Sequence, residues 1–168
     1  MGPRYRDMAV IVLLLSCSPA LQSQQYGIQL MAGSTITVSD GSEITITDGS
    51  LVNDGSFIAQ GESNIIFNGN TTQEIGGAVP IQFSNLTVNN TTGITITGEE
   101  VSVRRILLSN GKLETNGMMT LLSGGDGTAL IDGAGIGTIS GNVTMQRYLP
   151  TGFGYRYLSS PFRSEEHT

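Results

Sequence analysis

Ile44-Thr45-Ile46-Thr47-Asp48-Gly49, Ile65-Ile66-Phe67-Asn68-Gly69, Leu86-Thr87-Val88-Asn89-Asn90 and Leu107-Leu108-Ser109-Asn110-Gly111 are four versions of one phrase. Each is an apolar or β-branched run closed by a pair drawn from Asp, Asn and Gly. The pairs open at Asp48, Asn68, Asn89 and Asn110, a spacing of about 20 or 21 residues, inside the range where self-similarity signals a solenoid or an array. Leu130-Ile131-Asp132-Gly133 is a looser fifth copy.

Working outward, Ile36 and Val38, Ile44 and Ile46, and Phe57 alternate with Thr, Ser or Glu, the period of strands with one buried face. Asp40-Gly41-Ser42, Asp48-Gly49-Ser50 and Asp54-Gly55-Ser56 punctuate them, and Asp-Gly marks turns because Gly takes positive φ at no steric cost. Short strands with frequent corners fit an antiparallel sandwich or a parallel β-helix. A sandwich imposes no fixed register along the chain, whereas Ile44, Ile65, Leu86 and Leu107 recur in step, as do Ile46, Phe67 and Val88. In a β-helix such residues stack at the strand spacing of about 4.8 Å and need similar side chains. The expectation is an all-β chain, a right-handed parallel β-helix over residues 24–149, with three strands per coil and about five or six coils. One coil alone buries too little to offset the entropy of ordering it, so several must stack.

Composition agrees. The chain has 168 residues, enough for one domain or one plus a fragment. Charged residues are 13% of it, about half the ~25% usual in globular proteins, and it holds 23 glycines and no tryptophan. Its 38% hydrophobic content sits in short Val/Ile/Leu/Phe runs between turns, which argues for strands over disorder. The net charge of −6, with no basic run, excludes a nucleic-acid partner, which would need a Lys/Arg stripe against phosphate.

Residues 1–23 read as a secretory signal peptide. Arg4 and Arg6 precede the apolar run Met8 to Leu15, and small or polar residues follow to Ser23. That run is far short of the ~20 residues that span a bilayer, so no transmembrane segment is expected in the mature chain. Cleavage near Ala20 or Ser23 removes Cys17, the only cysteine. Leu14-Leu15-Ser16-Cys17 also resembles a bacterial lipobox, which would make Cys17 a lipidated first residue.

At the other end, Tyr148, Phe153, Tyr155, Tyr157 and Phe162, half of all the aromatics, crowd into fifteen residues. Residues 150–162 are read as the start of a second β domain or as a cap on the open end of the coil. Arg163-Ser164-Glu165-Glu166-His167-Thr168 resembles the translation of a sequencing-adapter oligonucleotide, which would make His167 an artefact.

Catalysis needs a base, a nucleophile or a metal in defined geometry. There is no Gly-x-Ser-x-Gly, no His-Glu-x-x-His, no paired Cys and no phosphate-binding loop. Two places come nearest to chemistry. Glu99-Glu100 with Arg104-Arg105 sets carboxylates and guanidiniums around the strand residues Val101 and Val103, as on the outer sheet of some polysaccharide-cleaving β-helices. Gly124-Gly125-Asp126-Gly127 is similar to a calcium-binding nonapeptide repeat, but Ala129 stands where Asp belongs, which leaves a Gly-rich corner. Sequons such as those at Asn70, Asn85 and Asn142 follow from an Asn/Thr-rich composition, and stacked Asn and Thr at corners are expected to bond along the coil axis. No catalytic, cofactor or metal residue is assigned.

Phe67-Asn68-Gly69, Gln73-Glu74-Ile75-Gly76-Gly77 and Phe83-Ser84-Asn85-Leu86-Thr87-Val88, followed by Leu108 to Leu113, Ser140-Gly141-Asn142-Val143 and Tyr157-Leu158-Ser159-Ser160-Pro161, carry a family resemblance. The chain resembles repeat-bearing secreted β-helix proteins of Bacteroidota, which often end in a type IX secretion sorting domain that this chain lacks. The resemblance implies an exported, non-catalytic module at the bacterial cell surface, serving adhesion, spacing or display, with polysaccharide or surface-protein partners. Two other roles fit: the accessory part of a secreted carbohydrate-active enzyme whose catalytic domain is missing, and a lipid-anchored outer-membrane protein.

Overall fold

A computed structural model describes residues 27–149, all of it strand and turn. The regions assigned above to a signal peptide, to a second domain or cap, and to an adapter tail lie outside the described residues. So do Cys17 and His167.

The strands wind into a β-solenoid of about 6 turns. The first turn is β1 (Ile28–Leu30), β2 (Thr35–Val38) and β3 (Glu43–Thr47), and the second is β4 (Leu51–Asn53), β5 (Ser56–Ala59) and β6 (Asn64–Gly69). In the third, β7 (Gln73–Gly76) leads into β8 (Ile81–Asn90), one long strand that bends across a corner and serves two faces. The fourth repeats this with β9 (Ile94–Ile96) and β10 (Val101–Ser109). The fifth has β11 (Lys112–Glu114) and β12 (Met119–Leu121), a hairpin of β13 (Ser123–Gly124) and β14 (Gly127–Thr128), then β15 (Leu130–Ile131). β16 (Thr138–Ser140) and β17 (Val143–Met145) close the described part.

Three parallel faces result. The first is the unbroken sheet β1-β4-β7-β9-β11-β16. The second joins the opening residues of β8 and β10 to β12 and β17, with β2 and β5 paired to each other at its start. The third stacks β3, β6, the closing halves of β8 and β10, and β15.

The 21-residue register lives on the third face. Ile44 pairs with Ile65, Ile65 with Leu86, and Leu86 with Leu107, while Ile46 lies on Phe67 and Phe67 on Val88. The looser fifth copy joins the same column, Ile131 pairing with Leu107. Elsewhere the step varies with corner length, shorter where Val101 pairs with Met119 and longer where Lys112 pairs with Thr138.

The inward residues form a single core running the length of the coil, with Phe67, Phe83, Leu51, Ile75, Leu86, Ile96 and Leu113 fully buried. Phe57 meets Phe83 edge to face at 5.6 Å, the favoured aromatic geometry, and so ties β5 to β8 although no ladder joins them. At the ends burial fades: Ile28, Ile36 and Ile44 in the first turn, and Ile139, Val143 and Met145 in the last, are only partly covered.

Two local readings are corrected. At Asp48-Gly49 the left-handed residue is Asp48 itself, at φ 53°, because its short polar side chain tolerates that conformation and its carboxylate is held by N–H groups of the next turn. The Gly-rich stretch at residues 124–127 is the tip of the antiparallel β13–β14 hairpin, not a corner of the coil, so the chain leaves the solenoid path there.

Candidate functional site

The polar chemistry of the molecule is concentrated at the corners, where successive turns are bolted together. Three aspartates of the Asp-Gly-Ser turns each reach one turn forward. Asp40 Oδ1 accepts the Glu62 N–H at 2.6 Å and Asp54 Oδ1 accepts the Ala78 N–H at 2.9 Å. Asp48 Oδ1 accepts the Asn70 N–H at 2.8 Å, the Thr71 N–H at 3.1 Å and the Thr71 hydroxyl at 3.1 Å. The backbone N–H of Asn70, then that of Thr71, holds the Asp48 carboxyl below its ordinary value of 3.8. The sequence marks these residues as turns; the structure adds that their carboxylates are clamps between turns.

Inside the corner between the third and first faces lies a buried amide relay. Gln73 Nε2 donates to the carbonyls of Ile46 (3.1 Å) and Gly49 (2.7 Å), while its Oε1 accepts Asn90 Nδ2 at 2.8 Å. Asn90 Nδ2 also donates to Thr71 O at 2.6 Å, and its Oδ1 accepts the N–H groups of Thr92 and Gly93. Both side chains are fully buried and both amides are satisfied, the condition under which a buried polar network stabilises. At the next corner, buried Asn53 donates to Val79 O and Pro80 O. Sequence reasoning missed all three. The signal was strand parity: Gln73 shares the inward side of β7 with Ile75, and Asn90 that of β8 with Leu86 and Val88.

On the outer side of the third face, Asn68 and Asn89 lie in register and Asn110 Nδ2 donates to Asn89 Oδ1 at 2.8 Å. Thr92 Oγ1 donates to Asn70 O and Thr87 Oγ1 to Asn64 Oδ1. The expected bonding of Asn and Thr along the axis is therefore present.

Glu99-Glu100 and Arg104-Arg105 are not brought together as a site. Both glutamates are exposed before β10, whereas the arginines occupy a β-bulge between Val103 and Ile106, where β10 has one residue more than β8. Arg104 Nη2 donates to Ala59 O at 2.8 Å and to Ser84 Oγ at 2.6 Å. It thereby satisfies a carbonyl at the place where β5 and β8 share no ladder. Arg105 Nη2 pairs with Glu62 Oε1 at 2.6 Å, with both side chains largely exposed. The two guanidiniums are struts across two turns.

At the hairpin, the Ser123 and Thr128 hydroxyls lie 2.6 Å apart and Asp126 is exposed at the tip. Among the described residues no three His, Cys, Asp or Glu side chains gather in a group that would hold a metal ion. No helix there is long and apolar enough to cross a membrane.

Fold and corners together define a parallel β-solenoid whose polar side chains serve turn-to-turn cohesion. Compared with known proteins, the chain matches no family model, no curated protein and no solved structure.

Proposed function

We propose that this chain is an exported, non-catalytic module of a bacterial surface, a rod that spaces, displays or adheres. One observation carries the reading. The side chains with chemical potential at the corners, Asp40, Asp48, Asp54, Gln73, Asn90 and Arg104, are engaged in bonds from one turn to another. A general acid, base or nucleophile must instead face a substrate with its reactive atom free. What such bonding produces is a stack of turns that lean on their neighbours and extend long regular faces, the arrangement repeat proteins use for binding surfaces. The apolar run before Ser16, and the resemblance to secreted Bacteroidota proteins, support export.

The test is expression of the whole reading frame in a diderm bacterium, with intact-mass analysis of the product and protease shaving of whole cells. A mature chain starting near Gln24 and removed by shaving is the expected result. A chain retaining Met1 in the cytoplasm overturns the proposal, and a diacylglycerol-sized addition on Cys17 replaces free secretion with lipid anchoring.

A further inference from the structure

The third face ends on an uncovered strand at the place where its core column should continue. Ile44, Ile65, Leu86 and Leu107 stack in one inward column, and Ile131 joins it as the partner of Leu107. Leu107 is 0% exposed, whereas Ile131 is 39% exposed. Its neighbour Leu130 is exposed as well, and among the described residues no strand pairs with the free side of β15. A bare strand edge beside uncovered apolar side chains is a template for one more strand.

The chain itself is on its way to that edge. Its last described strand, β17, belongs to the second face, from which each earlier turn passes on to the third. Beyond β17 it follows the base of the hairpin in the turn before: the Ser123 N–H donates to Gln146 Oε1 at 3.4 Å and the Tyr148 N–H to Ser123 Oγ at 2.9 Å. Register then says which residues should arrive. β17 lies on β12 at a step of 24 residues, Val143 on Met119 and Met145 on Leu121. The step from Leu107 to Ile131 on the third face is also 24 residues. Repeated once more, it brings Tyr155 to Ile131, Arg156 to Asp132 and Tyr157 to Gly133.

The side chains fit that register. Tyr155 and Tyr157 fall at inward parity, and tyrosine suits a terminal turn because its ring covers an apolar column while its hydroxyl stays wet. Arg156 falls at outward parity beside the exposed Asp132, an opposite-charge pair across two strands. Tyr157 falls over Gly133, where an added side chain would meet nothing within 4 Å, so its ring has room. A slip of one residue would instead set Arg156 on the core column over Ile131 and a tyrosine beside Asp132.

We infer that the free edge of β15 docks the chain's own segment Tyr155-Arg156-Tyr157-Leu158, laid parallel and in this register. The segment is then the cap of the coil and not the start of a second domain.

The experiment uses the full chain carrying Cys17→Ser, so that the introduced thiols are the only ones. Directly paired residues on neighbouring strands lie about 4.8 Å apart, inside the range a disulfide spans. Ile131→Cys/Tyr155→Cys should therefore close an intramolecular disulfide under mild oxidation, read by intact mass as the loss of two hydrogens and reversed by reduction. Ile131→Cys/Arg156→Cys, with its thiols at opposite parity, should oxidise about tenfold more slowly or less. Equal rates for the two pairs, no disulfide in either, or disulfide-linked dimers that make a second copy the occupant overturn the inference. Nuclear Overhauser contacts in the unsubstituted chain give a check that needs no variant to fold. Contacts between the Ile131 methyls and the Tyr155 ring are expected, and their absence once both residues are assigned overturns the inference as well.

Discussion

Arg104 Nη2 lies 2.8 Å from the carbonyl oxygen of Ala59, a residue two turns earlier in the coil. The guanidinium thus takes the place of a ladder bond that β5 and β8 do not make, and it does so from a bulge that frees Arg104 and Arg105 from strand pairing. Arg104→Met leaves Ala59 O with only the long 3.4 Å bond from Ser84 Oγ and should cost about 1–3 kcal/mol, the range for under-satisfied buried polar groups. Arg105→Met, which breaks only an exposed ion pair, should cost less than about 1 kcal/mol. Urea unfolding of the two variants side by side decides it; equal losses would mean that Arg104 is no strut.

The amide relay makes a stronger demand. Asn90→Leu orphans the Gln73 carbonyl oxygen, the Thr71 carbonyl and the N–H groups of Thr92 and Gly93 in one step. A loss of about 3 kcal/mol is expected, at the upper end for orphaned buried groups. Because Gln73 and Asn90 act as one unit, the double variant Gln73→Leu/Asn90→Leu should lose clearly less than the sum of the singles. Strict additivity in denaturant melts would show that the two amides stabilise independently.

Asp48 gives the solenoid a pH dependence whose sign follows from its hydrogen bonds. The backbone N–H groups of Asn70 and Thr71 lower its pKa in the folded chain below the ordinary 3.8. Stability from this clamp is therefore fully present above the unfolded value and is lost as pH falls through the folded one. Asp48→Asn keeps an acceptor and tolerates the left-handed backbone but cannot titrate. The unfolding midpoint of this variant should fall less steeply below about pH 4 than that of the parent. Parallel curves for the two proteins from pH 6 to pH 2 would remove Asp48 as the source.

Much of this architecture was legible because the third face obeys one strict rule. A side chain stacked on its own kind every 21 residues leaves the same mark in the sequence as in space, and Ile44, Ile65, Leu86 and Leu107 are that mark. The other two faces were harder to read because their corners vary in length, so Val101 over Met119 and Lys112 over Thr138 share no period. The corner chemistry was partly hidden for another reason. An Asp-Gly pair announces a turn, but whether its carboxylate faces water or the next turn depends on where that turn passes. Gln73 and Asn90 were hidden by composition: polar residues at inward parity look like solvent-facing ones until the alternation around them is followed residue by residue.

A stacked coil should also come apart from its ends, since apart from the Arg104 and Arg105 struts each turn leans on its neighbours. Ile44 and Leu86 occupy the same column, but Leu86 is fully buried in the third turn, whereas Ile44 sits in the first turn with no turn beneath it in the described residues. Leu86→Ala should cost about 2–5 kcal/mol, the span for emptying a filled core position. Ile44→Ala should cost about 2 kcal/mol or less, since a half-covered site loses less contact and collapses more readily. Native-state hydrogen exchange supplies the independent check. Amides of β6 and of β8 from Leu86 to Val88 should be the last to exchange, and those of β1, β2, β16 and β17 the first. Uniform protection from Ile28 to Met145 would show instead that the turns unfold as one unit, and the nearest-neighbour account of the solenoid would then fail.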